Sequence, residues 1–220
     1  MTGDSEGGRR LVLVPSTNAA LAAADDPTLV AALIERDPQA PRVLWKRYAP
    51  MVHRILRRAL GPGHDLEDLA QEVFLCVFEK IRTLREPRAL KAFVISVTVL
   101  TASHELRRRR VRRWVHLSDA APVADDRVVY PDADAREALV RFYRILDRVN
   151  AVDRTAFALR FMEGLELGEV AAATGMSLAT VKRRLGRVWV RVSLLVERDP
   201  LLVDYLSGLG DDGAGRVRKP

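Results

Sequence analysis

Apolar positions recur three or four residues apart along most of this chain, which is the spacing of amphipathic helices. Over residues 40–59, Leu44, Tyr48, Val52, Ile55 and Leu56 fall on one side of a predicted helix, and Gly61-Pro62-Gly63 ends it. Comparable patterns predict a short helix before Asp37-Pro38 and further helices over 65–84, 87–113, 134–149, 153–163, 167–174 and 177–197. The β-branched stretch around 93–102 is compatible with a strand, but its length and lack of strict alternation favour a helix.

The helical stretches fall into two groups, which predicts an all-α chain of two small domains, over residues 27–114 and 133–199. The segment between them, 115–132, contains Pro122, Pro131 and several aspartates, and we interpret it as a flexible acidic linker. Residues 1–26 lack a long periodic pattern and are predicted to form a disordered leader. Residues 200–220 begin with an apolar piece and are assigned as a C-terminal tail.

Positive charge is concentrated in two places in this chain of 220 residues, whose net charge is +7. Six arginines lie within residues 107–113, and a second basic group runs from 182 to 191. Clusters of this kind favour a polyanionic partner, although a solvated surface gives the same composition. Of the two clusters, the second is the better candidate for recognising a DNA sequence, because residues 178–184 belong to a recognisable motif.

Several classes of protein are disfavoured by what the sequence lacks. No apolar run is long enough to span a bilayer, and the N-terminus is a poor signal peptide, so we expect a cytoplasmic protein without membrane insertion. The single cysteine, Cys76, fits a reducing compartment and lies in an apolar stripe. No metal-ligand spacing, phosphate loop or nucleophile elbow is present, so we expect no cofactor, no metal and no enzymatic activity.

Residues 164–187, GLELGEVAAATGMSLATVKRRLGR, have the pattern of a helix-turn-helix. Gly175 suits the turn and Ser177 can cap the second helix. Val181, Leu185, Val188 and Val192 form the predicted buried stripe of that helix. The residues predicted to face DNA at its N-terminal end, with arginines that suit guanine edges or phosphates, are Ser177, Leu178, Ala179, Thr180, Lys182, Arg183, Arg184 and Arg187. An Ala-rich helix pair or a protein-binding helix is the alternative.

The predicted third helix, HDLEDLAQEVFLCVFEKI over residues 64–81, has an acidic face formed by Asp65, Asp68 and Glu72. Its apolar stripe leaves no room for both Phe74 and Phe78 in the core, so a docking surface with aromatic residues is one interpretation. Taken alone, a solvated acidic face is the simpler one.

Three segments together resemble a known family. The stretch DLEDLAQEVF, followed by LREPRALKAFV and then the arginine run, is similar to domain 2 of extracytoplasmic-function (ECF) sigma factors, and residues 164–187 resemble domain 4 of the same family. The resemblance covers about residues 28–198. It implies an alternative sigma factor that binds core RNA polymerase and directs it to promoters, with an anti-sigma factor as a further partner.

The resemblance also implies roles for individual residues. Core polymerase would be bound by Asp65, Glu67, Asp68, Gln71, Glu72 and Phe74. The −10 element, including its unpaired non-template strand, would be contacted by Arg85, Arg88, Lys91, Arg107, Arg108, Arg109, Arg112 and Arg113. The helix-turn-helix would bind the −35 element as double-stranded DNA, and the acidic linker would thread the active-site channel of the polymerase.

Four positions depart from the family pattern near the −10 surface. Family members usually carry Trp-Leu where this chain has Phe93-Val94, Asn where it has Leu100, and Asp where it has His104. Leu100 and His104 therefore leave open a sigma-like decoy that occupies polymerase without starting transcription. A helix-turn-helix regulator that binds an operator without polymerase is the other alternative, and it explains the C-terminal half but gives the acidic third helix no role.

Overall fold

A computed structural model of the chain describes residues 21, 23–62, 65–116 and 133–211, with the backbone alone described for 113–116 and 208–211. All regular structure within these residues is helical, which confirms the all-α prediction and the helical interpretation of 93–102. The predicted linker beyond residue 116 and most of the predicted leader lie outside the described residues. The helices are α1 (Asp26–Ile34), α2 (Ala40–Leu60), α3 (Leu66–Lys80), α4 (Leu90–His116), α5 (Ala133–Leu146), α6 (Ala151–Phe157), α7 (Leu167–Thr174), α8 (Leu178–Val196) and α9 (Pro200–Asp211).

The first unit, α1–α4, encloses a core of aliphatic and aromatic side chains. From the stripe predicted for α2, Leu44, Val52 and Leu56 are fully buried, and α3 adds Val73 and Val77. Burying each such side chain stabilises the fold by about 1.5–3 kcal/mol relative to leaving it in water. The helical periodicity of the sequence therefore determines which faces of α2 and α3 meet.

Helix α1 is fixed to α2 by polar contacts. The Asp25 carboxylate caps α1 and accepts hydrogen bonds from Thr28, whose hydroxyl and backbone N–H lower the pKa of Asp25. Tyr48 of α2 donates its hydroxyl proton to Asp26 at 2.7 Å, and Arg47 forms an ion pair of 2.9 Å with the same carboxylate. Burial, together with the Asp26 carboxylate, raises the pKa of Tyr48, so this donor stays protonated at ordinary pH.

The helix before residue 85 is shorter than predicted, and the helix after it begins and ends three residues later than predicted. Helix α3 ends at Lys80, and a single 3₁₀ turn, Ile81–Thr83, follows it. The turn Pro87–Ala89 precedes α4 and is also 3₁₀, with Glu86 accepting a hydrogen bond from the backbone N–H of Arg88. By length and composition the segment Pro87–Arg112 could cross a membrane, but 61% of its most apolar window is buried inside the protein, as in a core helix of a folded domain.

The second unit, α5–α9, contains the predicted helix-turn-helix in α7 and α8. The whole stripe predicted for α8 is buried: Val181, Leu185, Val188 and Val192. Gly175 has a left-handed backbone (φ 67°) at the end of α7, which a residue with a side chain adopts only at a cost.

The second unit extends beyond residue 199, where the sequence placed the start of a tail. Helix α9 buries Leu202 and packs Leu201 and Tyr205 against the same core. Asp199 accepts a hydrogen bond from the backbone N–H of Leu202 and lies 3.2 Å from Arg141 of α5. The first half of the predicted tail is therefore part of the folded unit.

The two units pack against each other through the end of α2. The last carbonyl groups of a helix have no partner within it. Two of them are bound by Arg154 of α6, whose Nε donates to the Ala59 oxygen and whose Nη2 donates to the Leu60 oxygen, both at 2.7 Å. Tyr143 of α5 donates its hydroxyl proton to the Arg58 carbonyl oxygen at 3.1 Å.

A buried carboxylate adds to this contact between the units. A π-helical turn, Ala158–Met162, follows α6 and brings Glu163, whose side chain is 3% exposed, to α2. Arg54 Nε donates a hydrogen bond of 2.8 Å to one Glu163 oxygen. Arg58 Nη1 lies 2.9 Å from the other oxygen and forms an ion pair with it, but its N–H group donates to the Met162 carbonyl oxygen instead. Apolar residues of the first unit that join the core of the second are Ile55, Ile95 and Val99.

Candidate polymerase and nucleic-acid interfaces

The acidic face of α3 is open to solvent. Asp65 caps the helix by accepting a hydrogen bond of 3.2 Å from the Glu67 backbone N–H, as its position before an apolar run predicted. The other predicted polymerase-binding side chains that are exposed are Glu67, Asp68, Gln71 and Glu72. The Glu67 carboxylate lies 3.1 Å from the His53 ring of α2, whereas the carboxylates of Asp68 and Glu72 are open to solvent.

Phe74 does not belong to that face, which corrects its assignment as a polymerase contact. Its side chain is 2% exposed, and its ring centroid lies 4.6 Å from that of Trp45. Phe78 packs beside it but is only partly buried, as are Leu69 and Cys76, so α3 does not bury both aromatic residues together with its whole apolar stripe, as the sequence predicted. Phe74 supports the helix from within.

An apolar side chain that the sequence analysis passed over continues the acidic face. Leu75 is 61% exposed and follows Asp68 and Gln71 at helical spacing of seven and four residues. A large exposed aliphatic residue beside carboxylates is a common composition of a protein-docking surface. Its exposure could have been read from the sequence, because Leu75 lies on the side of the helix opposite the predicted apolar stripe of Leu66, Leu69, Val73 and Cys76/Val77.

The arginine run lies on the C-terminal half of α4 and is held by one acidic residue. Glu105 is 8% exposed at its side chain, and three arginines of the run surround it. Arg107 and Arg110 lie on the other side of the helix, where they line a groove of about 520 Å³ together with Asn150. The side chain of Arg113 lies outside the described residues.

The other three residues predicted to contact the −10 element lie far from that run. Lys91 is on the first turn of α4, sixteen residues before Arg107, which is about 24 Å along the helix axis. Arg85 and Arg88 precede α4 and are exposed. The structure therefore separates the predicted −10 surface into a patch at the start of α4 and a patch at its end.

Between those patches, α4 presents the residues that depart from the family pattern. Leu100 is 52% exposed, and His104 follows it by one helical turn and is exposed. Val94, by contrast, is fully buried, and Phe93 packs against the first core. Only two of the four departures, at Leu100 and His104, are thus on the open surface.

Helix α8 presents a polar N-terminal end opposite its buried stripe. Ser177 caps it by accepting a hydrogen bond of 3.2 Å from the Thr180 backbone N–H. Thr180 is partly buried, and the exposed residues of the predicted −35 set are Ser177, Leu178, Ala179, Lys182, Arg183 and Arg187. This arrangement leaves the helix N-terminus and three basic residues directed at solvent.

Arg184 differs from its neighbours on α8. Its Nη1 lies 3.1 Å from the Asp153 carboxylate of α6, and its side chain is 34% exposed. This ion pair joins α8 to α6 within the second unit, so Arg184 has a structural partner that its place in the motif did not reveal. Among the described residues, no three His, Cys, Asp or Glu side chains come together as a metal site.

Both helical units match family models. Residues 44–112, on α2–α4, match the model described as Sigma-70 region 2, and residues 139–188, on α5–α8, match that described as Sigma-70, region 4. These two regions in this order define the class as sigma factors of RNA polymerase.

Curated relatives make the class more specific. The chain is 29% identical over 174 residues to the ECF RNA polymerase sigma factor SigE of Mycolicibacterium smegmatis, covering 74% of this chain and 65% of that protein, just under two thirds of its length. It is 26% identical to the ECF sigma factor SigM of Mycobacterium tuberculosis, over 78% of this chain and 84% of that one. The chain belongs to the ECF subfamily of the sigma-70 family of RNA polymerase sigma factors.

Two solved structures share the fold. CnrH in complex with the cytosolic domain of CnrY aligns with a TM-score of 0.56 at 21% identity, covering 79% of this chain and 98% of CnrH. The sigma factor RpoE of Bartonella quintana, in complex with the anti-sigma factor NepR, aligns with a TM-score of 0.52 at 23% identity, covering 72% of this chain and 97% of RpoE.

Proposed function

We propose that this chain is an alternative sigma factor that binds core RNA polymerase through α3 and carries it to promoters read by α4 and α8. The observation that carries the proposal is the order of the surfaces: an exposed acidic helix, then an arginine-rich helix, then a capped helix-turn-helix. The acidic helix suits a basic surface of polymerase, and the two basic helices suit the phosphates and bases of promoter DNA. The function requires no bond-breaking step by the chain itself, so we propose that the chain is not an enzyme. Because its proposed partner is bacterial core RNA polymerase, we propose that it acts in the cytoplasm.

The polymerase contact rests on charge. Asp68 and Glu72 are exposed on one side of α3, and Leu75 adds an apolar contact beside them. Complementary charges at the rim of an interface raise the association rate and fix the orientation of the partner. We expect a basic or polar surface of core polymerase to pair with these carboxylates, together with Asp65, Glu67 and Gln71.

The proposed −35 contact uses the N-terminal end of α8. A helix of this kind enters the major groove with its first residues against base edges, while later basic residues hold phosphates. Leu178 and Ala179 suit thymine methyl groups, and Arg183 suits a guanine edge. Arg187, one turn further on, suits a phosphate.

The proposed −10 contact combines the two patches of α4. Arginines at the end of the helix would hold phosphates, and Arg85, Arg88 and Lys91 would lie near unpaired bases of the non-template strand. Capturing such bases offsets the few kcal/mol that unstacking costs. Because phosphate contacts release counterions, this part of binding is expected to weaken steeply with salt.

The packed arrangement of the two units has a consequence for this function. Promoter elements at −10 and −35 are separated by about 25 base pairs, or about 85 Å at 3.4 Å per step. A compact chain of this length has a radius of gyration of about 17 Å. The two reading surfaces therefore cannot occupy both elements while α6 caps α2, and we propose that the units separate when polymerase is bound.

We further propose that a protein partner holds the chain between rounds of use. The solved relatives CnrH and RpoE are each bound to another protein, CnrY and NepR, and they share the fold of this chain. An anti-sigma partner that favours the packed arrangement would keep the two DNA-reading surfaces too close together for a promoter.

Run-off transcription with purified core polymerase tests the proposed function. Addition of the full chain should produce a defined transcript from a promoter selected among genomic fragments, and no transcript should appear without it. A shift of DNA without polymerase and no transcript would indicate an operator-binding regulator. Association with polymerase, with neither a transcript nor promoter binding, would indicate a decoy. Either result would overturn the proposal.

A further inference from the structure

Glu105 is an acidic residue at the start of the most basic segment of the described chain, and it is almost fully enclosed. Its side chain is 8% exposed. One carboxylate oxygen lies 2.5 Å from Arg109 Nε and 3.0 Å from Arg112 Nη2, and the other lies 3.5 Å from Arg108 Nε. One carboxylate thus lies within ion-pair distance of three guanidinium groups.

The spacing explains why these three arginines are selected. Residues three, four and seven positions after Glu105 lie on the same side of a helix as Glu105. Arg107 and Arg110, two and five positions later, are directed to the other side and line the groove beside the second unit. The arginine run is therefore divided into two groups. Arg108, Arg109 and Arg112 form ion pairs with Glu105, whereas Arg107 and Arg110 face away from it.

We propose that Glu105 acts as a built-in competitor of DNA phosphate, and so sets how strongly this chain binds DNA without regard to sequence. This inference rests on the proposed function, in which the arginine run of α4 contacts phosphates. Carboxylate and phosphate present similar oxygen pairs to the guanidinium fork. A phosphate that takes an arginine from Glu105 leaves an enclosed carboxylate with fewer partners, which is costly.

The consequence is weaker capture of the chain by DNA of any sequence. Sequence-independent binding is electrostatic, so a competitor for three arginines reduces it directly. Base contacts are unaffected, so they supply a larger share of the affinity that remains for a promoter. In a genome of competing sites, the chain therefore spends less of its time bound to random DNA. Glu105 is thus a positioning residue, with the arginines as the contacting groups.

The test is a salt titration of the full chain without polymerase. Fluorescence anisotropy with a labelled duplex of random sequence would give Kd at several salt concentrations. Glu105→Gln and Glu105→Met should both bind about threefold to tenfold more tightly at low salt. Their slope of log affinity against log salt should steepen by up to about 0.9 for each additional phosphate contact.

The matched control is Glu137→Gln. Glu137 also pairs with an arginine four residues later, Arg141 at 2.8 Å, and its loss changes the net charge by the same amount. The inference is overturned if Glu137→Gln strengthens and steepens binding as much as Glu105→Gln. It is also overturned if the Glu105 variants bind like the wild type or more weakly, or if no protein binds at low salt. The salt slope separates this role from a purely structural one, and thermal unfolding checks that both Glu105 variants are folded.

Run-off transcription distinguishes this inference from the proposed function. If the wild type fails to support initiation but the Glu105 variants bind random DNA with a steeper slope, the proposed function fails and the role of Glu105 stands. If the wild type supports initiation but the Glu105 variants and the wild type have equal salt slopes, the proposed function stands and the role of Glu105 fails. With both intact, and with the promoter present well below its Kd, random competitor DNA should inhibit transcription by the Glu105→Gln holoenzyme at lower concentration than it inhibits the wild type.

Discussion

The Nη2 atom of Arg154 donates a hydrogen bond of 2.7 Å to the carbonyl oxygen of Leu60, so a side chain of the second unit caps a helix of the first. The residue is 2% exposed, and it also forms an ion pair with Asp147 of its own unit. Its charge lies at the negative end of the α2 dipole, where a cation is stabilising. This one guanidinium therefore connects the fold of one unit to the position of the other.

Replacement of Arg154 by Met should open the packed arrangement. The change removes the donors to Ala59 and Leu60 while keeping an apolar stem of similar length, and breaking a buried network of this kind costs about 3–5 kcal/mol. Small-angle scattering should show a larger radius of gyration, and the thermal midpoint should fall, while circular dichroism retains most of the helical signal. Arg141→Met, which removes ion pairs within the second unit only, should leave the radius unchanged. An unchanged radius for Arg154→Met would show that the apolar contacts of Ile55, Ile95 and Val99 suffice.

A second prediction concerns the glycine at the end of α2. Gly61 has φ 88°, and a Cβ placed there would lie 2.6 Å from Cδ1 of Tyr143. A ψ of −173° at Gly61 places this residue in a backbone region that is adopted almost only by glycine, where another residue costs about 1–3 kcal/mol. Gly61→Ala should therefore destabilise the protein by this strain and by a further steric cost at the contact between the units. Denaturant unfolding measures the sum.

The matched control for Gly61→Ala is the same substitution in a Tyr143→Ala background, where the backbone strain stays and the steric contact is gone. Gly61→Ala should cost less there than in the wild type, and the difference is the steric part. Gly175→Ala adds a case with φ 67° and no atom within 4 Å of a Cβ built there, so it should cost only the left-handed strain of about 1–2 kcal/mol. Equal costs of Gly61→Ala in the two backgrounds would mean that Tyr143 moves aside without penalty.

A structural feature could be predicted from the sequence when neighbouring residues determine it, and not when contacts between distant parts of the chain determine it. The α8 stripe of Val181, Leu185, Val188 and Val192 and the left-handed Gly175 follow from helical period and turn chemistry, and both predictions are confirmed. The burial of Phe74 against Trp45 depends on how two helices meet, and it was missed.

The contact between the units had no local signal at all. Arg154 reaches carbonyl groups 94 and 95 residues earlier in the chain, and a buried arginine is indistinguishable in sequence from the many exposed ones here. The pairing of Glu105 could have been read from its spacing to Arg108, Arg109 and Arg112. Its burial could not, because burial depends on how the surrounding helices pack.

The acidic face of α3 gives a third prediction. Asp68→Ala with Glu72→Ala should weaken binding to core polymerase about tenfold, because two rim charges are lost, and should leave DNA binding by the free chain unaltered. Surface plasmon resonance with immobilised core polymerase gives the Kd. The control Asp134→Ala with Asp204→Ala removes two exposed carboxylates from the second unit instead. Equal losses in the two double variants would mean that net charge alone drives association.

Arg183 and Arg184 should behave differently despite being adjacent. Arg183 is exposed, so Arg183→Ala should reduce initiation from a promoter that depends on its −35 element without changing thermal stability. Arg184 pairs with Asp153, so Arg184→Ala should also lower the thermal midpoint by loosening α8 from α6. Differential scanning fluorimetry beside run-off transcription separates the two effects. A stability loss confined to Arg183→Ala would reverse the assignment.

The exposed pair on α4 offers the sharpest test of promoter choice. Leu100 is 52% exposed and His104 lies one turn further on, so exchanging either for a polar residue removes no core contact and should change stability by about 0.5 kcal/mol or less. Leu100→Asn with His104→Asp introduces the side chains usual in the family, and it should shift the preferred −10 sequence while leaving the −35 sequence and polymerase affinity unaltered. Run-off transcription from a template library randomised at the −10 element, with sequencing of the transcribed templates, measures the preference. An identical preference in both proteins would place base reading elsewhere on the first unit, with Arg85, Arg88 and Lys91 as the remaining exposed candidates.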